Sequence, residues 1–544
     1  MPSADLNSLL RDYMEASLAF SPGAATSRGF HQHDGELGGR SRAAIESRRG
    51  TVQRQLESLR AIDGGRLSLE EWADRDLLER RMLWELTDID EVQSWRVSPN
   101  GYLATVGGSL NGLVIRDFAP LPERARSLVS RLRQVPRLLD QAKANLERPT
   151  RVHVETAIEQ GTGLRSLFLR DLPEAMSSLS DGALRGEFRT ACEEALAAVD
   201  GYVAWLKESL LPVAAEEFAW GPDKFGKLLR YVDFVDRPLD ELVKRGQDDL
   251  RAHQERLKEV AGRIKAGASP VEVVDEVSRH HPAADGLIGE TDALLEDLRR
   301  FSVDAGICTM PTEVRIQMQE TPGFARATTQ AACSPPGPWE ERATEAYYYV
   351  TPPDPEWPPE RTEAYLKFFN RYSMPGITAH EAYPGHYVHL TYLRRAKSDA
   401  GKFLMTTTTI EGWAHYVEQL MVEAGYRDGD PRLELMQIRE ALLRLCRYLA
   451  AFGIHTQGWT FDQAVRFFME EGYATQPIAE RETKRGVIGP SYYAYTLGKH
   501  QILSLRDKLR AKLGPRYDQR AFHDAFMQLP YPVSIIESMM LASP

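Results

Sequence analysis

Segment 376–389, GITAHEAYPGHYVH, holds the residue types of a hydrolytic metal centre: His380, Glu381 beside it, and His386 five positions further on. When two histidines stand four apart on one helix, both imidazoles face a single ion. A glutamate next to the first then reaches the ion's water as a general base. Here the spacing is six, which puts the two rings about 240° apart on an ideal helix. Pro384 and Gly385 lie between them. Proline removes a helical donor and clashes with the preceding turn, while glycine accepts unusual dihedrals. The sequence therefore predicts a broken turn that returns His386 to the face of His380.

A third ligand is available 25 residues after His386, in EGWAHYVE. A carboxylate from a following helix completes a set of two histidines and one glutamate. Glu411 and Glu418 are seven apart, and Glu411 and His415 four apart, so all share one helical face. Glu411 is the expected ligand, with Glu418 or His415 orienting a ligand imidazole. His386 with His389 is a competing pair, but it leaves Glu381 without a role. A lone histidine on an apolar face is more often a satisfied core residue, so the weight rests on the combination.

Further candidates follow in the same third of the chain, which holds seven of the 13 histidines. Tyr495, and after it Tyr492, offer a phenol hydroxyl to an oxyanion; the competing role for such a cluster is core packing. Arg444 and Arg447, on an arginine-rich helix with Arg439, suit a peptide carboxylate. The competing role is a salt-bridged face. His455, in GIHTQGW, and His500 are candidate proton or hydrogen-bond donors.

These residues must be positioned by helices. Apolar residues recur at three- and four-residue spacing over 41–61, 67–94, 122–147, 186–211, 238–267 and 288–301. Strand-like alternation is confined to 314–318 and 347–350. The expected class is mainly α with at most a small β-sheet. The texture changes near residue 303, which divides the chain into a helical region 1–302, forming one wall of a cleft, and a catalytic helical region 303–544. The two read as one continuous structural unit. Segment 321–361, with SPPGPW and TPPDPEWPPE, is too rich in proline for helix interiors. It is either a surface connection or an ordered wall beside a site.

Composition narrows the function. The 544 residues are 42% hydrophobic and 27% charged, which excludes disorder and low complexity. A net charge of −11 with no basic block argues against nucleic acid or an anionic membrane surface as partner. No run of about 18 apolar residues is present, so no membrane span is expected. Four scattered cysteines form no C-x-x-C, which suggests a reduced compartment. The first 20 residues lack a basic start followed by an apolar run, so the expected location is cytoplasmic. Phosphate-loop, nucleophile-elbow and dinucleotide motifs are absent.

HEAYPGH followed by EGWAHYVE resembles the bacterial family known as domain of unknown function 885. Phe20-Ser21-Pro22, Ala25-Thr26, Gly29, Asp34 and Leu37 resemble that family's opening signature. The segments around His455 and Tyr495-Thr496-Leu497-Gly498 also resemble it. The family is similar in fold to the Taq-type thermostable metallocarboxypeptidases, which implies a large zincin-like helical fold with a deep cleft. By this resemblance His380, His386 and Glu411 hold Zn2+, or another divalent metal. Glu381 is the base, and Tyr492 or Tyr495 the oxyanion donor. Ala451 and Phe452 depart from the family, which commonly carries an acidic residue shortly before the GIH segment. The expected function is zinc-dependent hydrolysis of amide bonds in short peptides, carboxypeptidase-like. The rivals are a dedicated hydrolase of one specialised small amide and a metal-free helical binding protein. Monomer and homodimer both remain open.

Overall fold

The computed structural model describes residues 2–542, apart from 324, 325, 327 and 328. Helix accounts for 72% of the chain, so the class is mainly α. The predicted periodic segments are helical. Segment 41–61 forms Arg42–Arg60, 238–267 forms Leu239–Ile264, and 122–147 splits into Leu121–Leu132 and Val135–Asn145. That split falls just before Pro136, where the missing N–H costs least at a helix start.

The chain divides into two compact units. The first comprises 1–220, 322–328 and 336–345; the second comprises 221–321, 329–335 and 346–544. The change of texture near 303 thus falls inside the second unit.

In the first unit, helices Pro99–Gly112, Leu121–Leu132, Arg151–Ser166 and Gly182–Trp205 bury Leu103, Val106, Leu128, Leu132, Val154 and Val199 in one apolar core. The opening signature has a structural task here. Thr26 donates to Asp34 at 2.6 Å and accepts from the fully buried Arg131 at 2.6 Å. Gly29 takes φ +93, and a Cβ there would stand 2.3 Å from the Glu340 amide nitrogen. The bare backbone lets the strap 336–345 dock, with the Trp339 amide donating to the Arg28 carbonyl at 2.9 Å.

In the second unit, the long helices Leu239–Ile264 and Pro431–Thr456 lie side by side. A three-stranded sheet has the order β1 (Gln317–Glu320), β3 (Tyr347–Val350), β2 (Ala331–Ser334). β3 runs parallel to β1 and antiparallel to β2. β3 coincides with the predicted 347–350, and β1 overlaps the predicted 314–318 at its first two residues. β2, inside the proline-rich segment, was not expected, because four small residues without alternation give no strand signal. Among the described residues no helix is long and apolar enough to cross a membrane.

Candidate metal centre

Helix Met374–Glu381 ends at Glu381, and helix His386–Arg394 begins at His386. Between them Ala382 leaves helical dihedrals, the Tyr383–Pro384 bond is cis, and Gly385 takes φ −76 and ψ −130. A Cβ on Gly385 would stand 2.0 Å from the His380 carbonyl oxygen, so only glycine lets the chain fold back against the turn that carries the first histidine. The Trp413 indole donates to the Pro384 carbonyl at 3.0 Å and ties the loop to helix Thr407–Glu423. The break carries the two imidazoles to a centroid separation of 4.6 Å.

Helix Thr407–Glu423 supplies the carboxylate. Glu411 Oε2 lies 3.3 Å from His380 Nε2 and 3.5 Å from His386 Nε2. One ligand atom from each of the three residues falls within 4.8 Å of the others, with both histidines buried and the glutamate half-buried. Seven positions on, Glu418 Oε1 lies 2.7 Å from His380 Nδ1. Glu418 is in turn held by Arg444 at 2.8 Å and His415 at 3.3 Å. The geometry therefore gives Glu418 the orienting role, with His415 one contact behind it.

The electrostatics follow from this packing. Burial opposes charge on His380, but the carboxylates of Glu411 and Glu418 beside it outweigh that and push the imidazole up to about 10. Burial raises Glu411, yet the two imidazoles hold its carboxyl well below the usual range. Burial likewise opposes charge on Glu418, but Arg444 and His415 keep it ionised. With Nδ1–H donated to Glu418, a neutral His380 turns its Nε2 lone pair toward the Glu411 carboxylate. Glu411 Oε2 faces the Nε2 atoms of both imidazoles and has no hydrogen-bond partner. Converging acceptors of this kind demand a proton or a cation between them. The donor set, two imidazole nitrogens and a carboxylate with an oriented imidazole, fits Zn2+ and leaves a fourth position open.

Glu381 stands beside this set. Its Oε2 accepts the Cys333 amide at 2.8 Å, so strand β2, within the proline-rich segment, lies against the site. The Tyr495 ring stacks near His380 at 6.1 Å and 25°. Its hydroxyl accepts from Arg485 at 3.2 Å, and the guanidiniums of Arg444 and Arg447 lie 5.7 and 5.6 Å from the ring centre. Helix Ala494–Leu513 approaches the Glu411 helix closely because glycines face each other. A Cβ on Gly412 would stand 2.5 Å from the Gly498 Cα.

The other candidates are placed elsewhere. Tyr492 is buried, its hydroxyl without a partner and packed against Gly486. Arg447 makes a two-pronged pair with the buried Glu482 at 2.7 and 3.1 Å. His455 bonds the Gly486 carbonyl at 3.0 Å and stacks on Phe225. His500 bonds Asp249 at 2.8 Å. His389 is fully buried near Trp413 and Phe526, and burial lowers it to about 3. Phe452 packs against Phe225 and Tyr448 in an aromatic core. Sequence reasoning missed the Cys333 amide, which carries no side-chain signal. It also missed Arg444 as the partner of Glu418.

A structure described as a "putative lipoprotein of unknown function from Shewanella oneidensis" is 25% identical over 99% of this chain and 100% of that one, with a TM-score of 0.83. A "putative lipoprotein from Colwellia psychrerythraea" is 17% identical over 99% and 98%, with a TM-score of 0.85, and shares the fold. No curated protein matches. The family described as "Bacterial protein of unknown function (DUF885)" matches residues 22–540, a span that takes in the opening signature from Pro22 onward, the broken His helix and the Glu411 helix. Since that match runs over nearly the whole chain, this protein belongs to the DUF885 family.

Proposed function

We propose that this protein is a metal-dependent hydrolase of amide bonds in short peptides, carboxypeptidase-like, with a zincin-like fold and a resident Zn2+ on His380, His386 and Glu411. The observation that carries the reading is the convergence of those three ligand atoms on one buried point, with Glu418 fixing His380 from behind. A bound zinc ion lowers the pKa of water toward about 7 and polarises a carbonyl; manganese or cobalt suits the same donors. Glu381, its Oε2 steadied by the Cys333 amide, takes a proton from the attacking water at its other oxygen and returns it to the leaving amine. Tyr495 donates its hydroxyl to the developing oxyanion, and Arg485 above it favours that charge.

The test combines metal analysis with one substitution. Protein purified without added metal is expected to carry, or take up on titration, one equivalent of zinc. Glu381→Gln is expected to keep that metal and lose hydrolysis of a peptide library by about 10²–10⁴-fold. Protein that takes up no metal, or a Glu381→Gln variant as active as the parent, overturns the reading. The description of the Shewanella protein as a putative lipoprotein supports an envelope location over the expected cytoplasmic one. Fractionation of the native host decides between them.

A further inference from the structure

A pocket open to solvent lies within the first unit, lined among others by residues of the π-helical turn Leu167–Asp171 and of helix Gly182–Trp205. Its volume is about 520 Å³, within the range of small-molecule sites. Phe168, Met176, Phe188 and Leu196 give it an apolar lining. Leu169, at 61% exposure, is one of the large apolar side chains this protein leaves in solvent, and it belongs to the same lining. A π-turn widens a helix locally, and such turns recur at functional sites.

The helix wall is bare at its first turns, where two glycines border the pocket. Gly182 and Gly186, four apart and so on one face, both line it, and a Cβ at either meets nothing within 4 Å. Glycine inside a helix is costly relative to alanine. Gly186 therefore keeps space open where a side chain would have stabilised the helix.

The charged residues of the lining are Arg185, Arg189 and Glu193, a net positive set. The Arg185 guanidinium donates to the Leu179 carbonyl, a neutral acceptor. Arg189 is exposed and has no ion-pair partner among the described residues, Glu193 included. An apolar cavity of this volume with surplus guanidinium charge complements one kind of molecule: an alkyl chain ending in an anion.

We propose that this cavity is a binding site for a medium-chain alkyl carboxylate, its chain against Phe168, Met176 and Phe188 and its carboxylate at Arg189. The site is separate from the metal centre and does not depend on the hydrolase reading.

Isothermal titration of the full chain with hexanoate, octanoate, decanoate and decanol, below micelle-forming concentrations, tests it. Affinity is expected to rise about fourfold per added methylene, the factor that corresponds to burying one CH2. Decanoate is expected to bind more tightly than decanol. Gly186→Leu fills the cavity and removes binding, while the helix gains a better former, so Tm does not fall. Leu169→Asp changes an exposed position and sets a negative charge in the lining; it is expected to weaken decanoate at least about fivefold and spare decanol. Arg189→Gln brings decanoate down toward decanol. No heat with any ligand, affinity independent of chain length, decanol equal to decanoate, or unchanged binding in Gly186→Leu overturns the proposal.

Discussion

His380 Nδ1 and Glu418 Oε1 lie 2.7 Å apart, and the same carboxylate oxygen lies 2.8 Å from the Arg444 guanidinium. Glu418 is 3% exposed, so the pair sits in a medium where each partner depends on the other for its charge. The link fixes the imidazole plane and turns Nε2 toward Glu411 and His386.

Glu418→Gln is therefore expected to weaken zinc binding about 10–100-fold, the usual effect of losing an orienting carboxylate behind a ligand histidine. Competition against a chelator of known affinity measures it. Arg444 loses its nearer ionic partner in the same variant and keeps only Glu440 at 3.8 Å, so Tm is expected to fall as well. An unchanged zinc affinity would remove Glu418 from the site.

Two tyrosines close in sequence are expected to behave differently. Tyr495→Phe should lower kcat by about 10²–10³, the scale for one oxyanion donor, with metal content unchanged. Tyr492→Phe should leave kcat alone. The Tyr492 hydroxyl is buried without a partner, so its removal is expected to be neutral or slightly stabilising. Steady-state kinetics of both variants, beside their melting temperatures, separate the roles.

Gly385→Ala is expected to destabilise the second unit by about 3 kcal/mol and to abolish metal binding. The added Cβ meets the backbone oxygens of His380 and Ala379 at 2.0 and 2.2 Å, and neither can move without moving a ligand. Urea unfolding and metal titration read the two effects. A variant of parental stability with full metal uptake would show that the turn has another way to close.

His523 sets part of the acid limit of stability. It is fully buried, accepts at Nε2 from the Tyr416 hydroxyl at 2.9 Å, and donates Nδ1–H to the Ile307 carbonyl at 2.7 Å. Burial lowers it to about 4. Between the ordinary histidine value and that one, the unfolded chain binds a proton the native state excludes. Stability therefore rises with pH through this window and is lost as pH falls, by about 3 kcal/mol at the lower end. His523→Asn is expected to flatten the pH dependence of the urea midpoint between pH 6.5 and 4. An unchanged slope would assign the acid limit to other groups.

Much of the centre was legible because chemistry of this kind is written in side chains. His380, Glu381, His386 and Glu411 were identifiable by type. Pro384 and Gly385 announced the break that a spacing of six requires. Helical periodicity gave Arg42–Arg60 and Leu239–Ile264 within a few residues. What escaped was relational. Nothing local marks Arg447 as the partner of Glu482, 35 positions away, or Arg444 as the partner of Glu418. Both arginines looked available to a substrate because burial and pairing appear only after packing. β2 escaped because its task at Glu381 is done by a backbone amide, which every residue but proline has.

Gly412 and Gly498 meet main chain to main chain, with no side chain between their helices. Such a junction has no rotamers through which to adjust. The span from the Glu411 carboxylate, one residue before Gly412, to the Tyr495 phenol, three before Gly498, is thereby set by two rigid rods in register. Neighbouring side chains can vary around this seam without altering the reach of the tyrosine, whereas a single methyl group placed in the seam would push the rods apart and carry ligand and phenol with them.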